Sequence, residues 1–167
     1  INGTDYYAVC SATGLTSTTE PDWWPELVTN GTFDTDLTGW SVGANATATW
    51  NNGTMEVIST GGSAYQAFPT VIGVEYQAKF SFIKTGGGRV YIGTVAGSGT
   101  HAQFSASRDN WIFNFVATTE TTYLSVKDKD SSGALQIVDN FSVRPVFVAT
   151  TITDNTASWD IAPTQLY

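Results

Sequence analysis

The sequence predicts an all-β protein built from two antiparallel sheets packed face to face. Thr, Ser, Gly and Asn crowd its 167 residues, while charged residues make up 13% and aromatic residues 13%. That composition suits short strands joined by tight turns better than helices. Apolar and polar residues alternate with a period of two, again and again, between residues 26 and 146. No stretch carries the three-to-four-residue period of a helix.

The elements follow in order. Thr47–Trp50 and Thr54–Ile58 flank Asn51-Asn52-Gly53, a hairpin signal because Asn and Gly tolerate left-handed turn geometry. A Gly-Gly-Ser turn leads into Ala64–Phe68. In Val74–Lys84, Tyr76, Ala78, Phe80 and Phe82 alternate with Gln77, Lys79 and Ser81, which puts an apolar row on one face and a polar row on the other. Gly86-Gly87-Gly88 turns the chain into Arg89–Val95, with Val90 and Ile92 expected inward and Arg89 and Tyr91 outward. Trp111–Ala117, Thr122–Lys127 and Gln136–Arg144 complete about eight or nine strands, with loops at 97–110, 118–121 and 128–135.

The ends differ. Residues 1–25 hold one strand-like run, Tyr6–Ser11, and the Pro-bounded pair Trp23-Trp24. Residues 147–167 hold Val148–Thr153, a turn at Asp154-Asn155, and Ala157–Ile161, which includes Trp159. Neither piece buries a core alone, so they are expected to pair with each other or with a neighbouring chain.

Composition also excludes partners and chemistries. A net charge of −8 without a Lys/Arg cluster argues against nucleic acid, whose binding depends on neutralising several phosphates. No apolar run approaches the roughly 20 residues of a membrane span, and no basic-then-apolar leader marks a signal peptide. Cys10 has no second cysteine to pair with and reads as a small buried residue; with a single His101, read as a loop residue, there is no Cys/His metal spacing. Five N-x-S/T sequons, at Asn2, Asn30, Asn45, Asn52 and Asn140, read as turn chemistry. Glu56, Glu75 and Asp139 sit in strands but form no marked carboxylate pair, and no nucleophile elbow or phosphate loop occurs, so no catalysis is expected.

The stretches NGTFDTDLTGW at 30–40, GGSAYQAFPTVIGVEYQAKFSF, GGGRVYIGT and VDNFSV at 138–143 together resemble carbohydrate-binding jelly-roll modules of the family 4, 9 and 22 type. Such modules occur in bacterial glycosidases and in tailed-phage virion proteins. The flanks, YYAVCSATGLTSTTEPDWWP and TTITDNTASW, resemble a small repeat of phage structural proteins whose halves are nearly contiguous. Here residues 26–146 separate them. The resemblance therefore implies a jelly roll at 26–146 inserted into a small β module made of 1–25 plus 147–167.

The resemblance further implies a structural calcium held by Asp34 and Asp139; the plainer alternative is that Asp34 caps a turn and Asp139 accepts backbone hydrogen bonds. Trp40 is expected in the core. Sugar recognition needs an aromatic face for the C–H patches of a pyranose and polar groups for its hydroxyls, and Trp50, Tyr65, Gln77, Lys79 and Tyr91 are the candidate contacts. The implied function is a non-enzymatic virion structural or decoration protein on the particle surface, homo-oligomeric, adhering to host-surface glycans. The alternative is the binding module of a secreted bacterial polysaccharide-degrading enzyme.

Overall fold

The computed structural model describes residues 25–146. The expected strands at Tyr6–Ser11, Val148–Thr153 and Ala157–Ile161, Cys10, the sequon at Asn2, and Trp23, Trp24 and Trp159 lie outside the described residues. So does nearly all of the expected small β module.

Among the described residues the chain forms β1 (Ser41–Val42), β2 (Ala46–Asn51), β3 (Thr54–Ser59), β4 (Ala64–Pro69) and β5 (Glu75–Lys84). It continues as β6 (Gly88–Gly93), β7 (Ala102–Phe104), β8 (Arg108–Val116), β9 (Thr121–Asp128) and β10 (Leu135–Pro145). One sheet has the order β1-β4-β9-β6-β7 and the other β2-β3-β10-β5-β8, with every pairing antiparallel. The expected all-β sandwich is the observed architecture.

Alternation explains the interior. Tyr76, Ala78, Phe80 and Phe82 of β5 all point into the sandwich, as the period of two requires. Val57, Phe68, Val90, Leu124 and Val138 join them from neighbouring strands of both sheets. Phe80 sits at the centre, its ring 5.0 Å from Phe104 and 5.2 Å from Phe141. Removing a ring so enclosed costs about 3–5 kcal/mol.

Turns were legible where the backbone demands them. Asn52 (φ 46°) and Gly53 (φ 83°) close the β2–β3 hairpin in the left-handed geometry expected of them. Asn30, Asn45 and Asn140 also have positive φ, so each of the four described sequon asparagines occupies a left-handed position. The expected loop at 97–110 is a correction: it contains β7 and the start of β8. Strand β7 is only three residues long, too short for alternation to show, and β8 reaches back to Arg108 across a register shift at Asn110 (φ 56°).

The seam where the sandwich opens is tightly tied. Phe141 N donates to the Gly31 carbonyl at 2.9 Å, and a Cβ at residue 31 would fall 1.9 Å from the Phe141 carbonyl oxygen, so only glycine fits. Phe33 is fully buried, with Trp40 at 5.4 Å and Phe141 at 6.4 Å between ring centres. Trp40 packs against the core, as expected. Gln66, buried in β4, accepts from Thr29 N and donates to the Thr29 and Gly39 carbonyls.

Candidate functional site

The register decides which side chains can meet a ligand. On the outer face of the first sheet, Tyr65 of β4 lies opposite Ser125 of β9, which lies opposite Tyr91 of β6, which lies opposite Gln103 of β7. One step along, Ala67, Tyr123 and Gly93 align; one step the other way, Lys127 aligns with Arg89. The Tyr65 and Tyr123 rings stand 6.2 Å apart at 52°, both half-buried.

A loop of this chain lies across that face. Gly97 N donates to Ser125 Oγ at 2.8 Å, and Cβ atoms built at Gly93 and Gly99 would fall 2.2 Å from the Ser98 carbonyl oxygen and 2.9 Å from the Tyr91 ring. Tyr91 consequently points outward yet keeps only 8% of its surface exposed. Burial raises the Tyr91 phenol above its ordinary range; the nearby Arg89 charge opposes this, while Asp130 and Asp128 add to it.

The five sequence-expected contacts do not converge. Tyr65 and Tyr91 share the outer face of the first sheet. Gln77 and Lys79 were expected on neighbouring strands with Tyr91, but β5 belongs to the other sheet, so they lie on the opposite side of the sandwich. There Gln77 Nε2 donates to Asn114 Oδ1 at 3.1 Å. Trp50, opposite Met55, is on the inward side of edge strand β2 yet 39% exposed at that edge, and its indole N–H donates to the Phe33 carbonyl at 2.6 Å.

Asp34 and Asp139 are brought near one another at the seam. Burial first, and then the negative charge of Asp34, raise the Asp139 carboxyl above its usual range, although the Asn140 backbone N–H opposes this. Asp139 accepts from Asn140 N and Nδ2, and Asp34 from Thr32 Oγ1. Among the described residues no cluster of three or more His, Cys, Asp or Glu could hold a metal. A calcium here would need backbone carbonyls and water to reach its six to eight oxygens. The pair fits such an ion in one respect: Asp139 carries the repulsion of the Asp34 charge, which a cation would remove.

His101 belongs to no site. Its ring stacks on Phe115 with centres 5.2 Å apart, its backbone N–H donates to the Ile92 carbonyl, and burial pushes the imidazole below its ordinary range. It is a loop residue, as expected, tied down just before β7.

Comparisons with known proteins locate the fold. No family model matches the chain, and no curated protein matches its sequence. Solved structures do match. A family 16 carbohydrate-binding module superposes with a TM-score of 0.52 at 14% identity, covering 70% of this chain and 98% of that one. The second N-terminal cellulose-binding domain of β-1,4-glucanase C from Cellulomonas fimi gives 0.51 at 14% identity, covering 76% and 98%. A mutant of a family 29 carbohydrate-binding module gives 0.50 at 13% identity, covering 73% and 90%.

The fold is a jelly-roll sandwich like that of these carbohydrate-binding modules. The fold matches the one implied by the sequence motifs, and the face bearing Tyr65 and Tyr123 is one that it leaves outward. Sequence reasoning missed Tyr123, Arg89 and Lys127 as candidates. The alternation of β9 placed Tyr123, Ser125 and Lys127 on one face, but nothing in a single sequence reveals that β9 lies between β4 and β6.

Proposed function

We propose that residues 26–146 form a non-catalytic carbohydrate-binding module whose ligand rests on the outer face of the β1-β4-β9-β6-β7 sheet. The observation that carries this is the Tyr65–Tyr123 pair, two half-buried rings 6.2 Å apart on adjacent strands. Their faces and edges offer the apolar surface that pyranose C–H groups need; Ser41 lies opposite Tyr65, and Gln103 opposite Tyr91 two strands further along the same face. The fold shared with carbohydrate-binding modules supports the reading by analogy.

A structural calcium between Asp34 and Asp139 belongs to the same proposal. It would hold the seam, not the sugar. A virion-surface role, with many copies turning a weak site into avidity, remains the wider proposal, and a module of a secreted polysaccharide-degrading enzyme is its alternative. One observation favours insertion into a host module: the two ends of the sandwich leave side by side, with Leu27 N donating to the Val143 carbonyl at 3.0 Å.

The test is a glycan-array screen of the full chain with and without chelator. Binding that disappears in Tyr65→Ala and Tyr123→Ala, while both variants unfold at near-normal temperature, is the expected result. Binding unaffected by both substitutions would refute the face. Finding the chain in stoichiometric amount in purified phage particles separates the virion role from the secreted one.

A further inference from the structure

We infer that the glycan taken by this face is anionic, its carboxylate or sulfate held between Arg89 and Lys127; the inference rests on the carbohydrate reading above. The two cations are direct cross-strand neighbours on β6 and β9, one residue pair beyond the Ser125–Tyr91 pair of the same face. Like charges placed opposite one another on a sheet destabilise it. This chain has few cations to spare for such a pairing, with seven Lys and Arg against fifteen Asp and Glu.

Most of the other cations have local work. Lys84 Nζ donates to the Gly86 carbonyl, Arg108 lies 4.9 Å over the Trp111 ring, Lys129 faces Asp130 at 3.8 Å, and Arg144 pairs with Glu26 at 3.2 Å. Among the described residues neither the Arg89 nor the Lys127 side chain has a hydrogen bond or an ion pair, and Arg89 Nε is buried with no acceptor. A buried donor left unmatched is costly, and a ligand oxygen would supply the acceptor.

The nearby acids do not fill this role. The buried Asp128 carboxylate accepts from Asp130 N, Ser132 N, Ser132 Oγ and Ala134 N, and Asp130 is directed to Lys129. The strap at 94–101 further shapes the site, since Gly97 lies against the Lys127 stem and Ser63 Oγ. An anion would therefore enter beside the strap, with its sugar ring extending toward the tyrosines. Net charge argues for a specific contact: a chain at −8 has no general attraction for a polyanion.

The experiment measures binding of the full chain to polygalacturonate, its methyl ester, dextran sulfate and dextran by affinity electrophoresis and calorimetry. We expect one or both charged polymers to bind and the neutral partner of each to bind at least tenfold more weakly, with affinity falling as salt rises. Polygalacturonate alone identifies a carboxylate, and dextran sulfate alone a sulfate. Arg89→Gln and Lys127→Gln should each weaken binding about tenfold, the equivalent of about 1.4 kcal/mol. Each should leave the unfolding temperature of the free protein unchanged or raised, because a like-charge pair is relieved.

Equal binding of charged and neutral polymers, or charged-polymer binding untouched in both Gln variants, would overturn the anion site and leave carbohydrate binding standing. Binding only to neutral glycans of the array would do the same. No binding to any polymer or array glycan would overturn both readings.

Discussion

Single residues show where chemistry in the sequence was readable and where it was not. Trp50 looked like a sugar platform because it is a large aromatic beside a turn. Its inward direction and its bond to the Phe33 carbonyl come from pairing with Met55, which only the register reveals. Trp50→Phe keeps an aromatic side chain but loses that hydrogen bond, so it should cost about 1 kcal/mol in urea unfolding and leave glycan binding intact. His101 makes a pH prediction. Its folded-state pKa is lowered by burial, so the stability it contributes is present above its ordinary titration range and is lost as pH falls through that range toward the lowered value. The unfolding temperature of wild type relative to His101→Phe should therefore drop between pH 7.5 and 5.5. An unchanged difference would mean that the imidazole accepts its proton without cost.

Elements were legible to the extent that their alternation was long. Strand β5 was readable residue by residue because ten positions alternate without interruption, and the β2–β3 hairpin because Asn-Gly turns carry their own geometry. Strand β7 was invisible at three residues, and the partition of strands between sheets was invisible altogether, which is why Gln77 and Lys79 were grouped with Tyr91. The β9–β10 connection was expected as a plain loop, yet its 128–134 turn is organised by one carboxylate. Burial alone would raise Asp128, but donors from Ser132, Ala134 and Asp130 prevail and hold it below the usual range. That contribution is present above the ordinary Asp range and lost as pH falls through the lowered folded value. Asp128→Asn should thus destabilise the protein at pH 7 by about 1–3 kcal/mol, and its difference from wild type should shrink in strong acid. The seam has the opposite sign. Asp139 is raised, so without metal its contribution is favourable below the ordinary Asp range and lost as pH rises through the raised value. In chelator at pH 7, Asp139→Asn should match or exceed wild-type stability. Calcium at a hundred times its dissociation constant should stabilise only the wild type, by about 2.7 kcal/mol. Equal response of both proteins to calcium would remove the ion from this seam.

At the scale of the whole molecule, the sandwich is closed by a latch that no strand pattern announces. Glu26 precedes β1 by many residues, yet its carboxylate accepts from Val28 N at 3.0 Å, Ser142 Oγ at 2.6 Å, Val143 N at 2.7 Å and Arg144 Nε at 3.2 Å. A single side chain thereby ties the entering chain to the departing one, where β10 ends. Such a latch suits a domain that must keep its two ends together, as an insertion into another module requires. It also defines the smallest unit that should fold alone. A fragment of 26–146 buries the whole core and keeps the latch, so it should unfold cooperatively in urea. Glu26→Ala within that fragment strands Val143 N and frees Arg144 from Glu26, and should lose about 1–3 kcal/mol while retaining Leu27 and the same core. If the two proteins were equally stable, the ends would be held by the Leu27–Val143 and Gly31–Phe141 backbone bonds, and the side-by-side exit of the chain would owe nothing to Glu26.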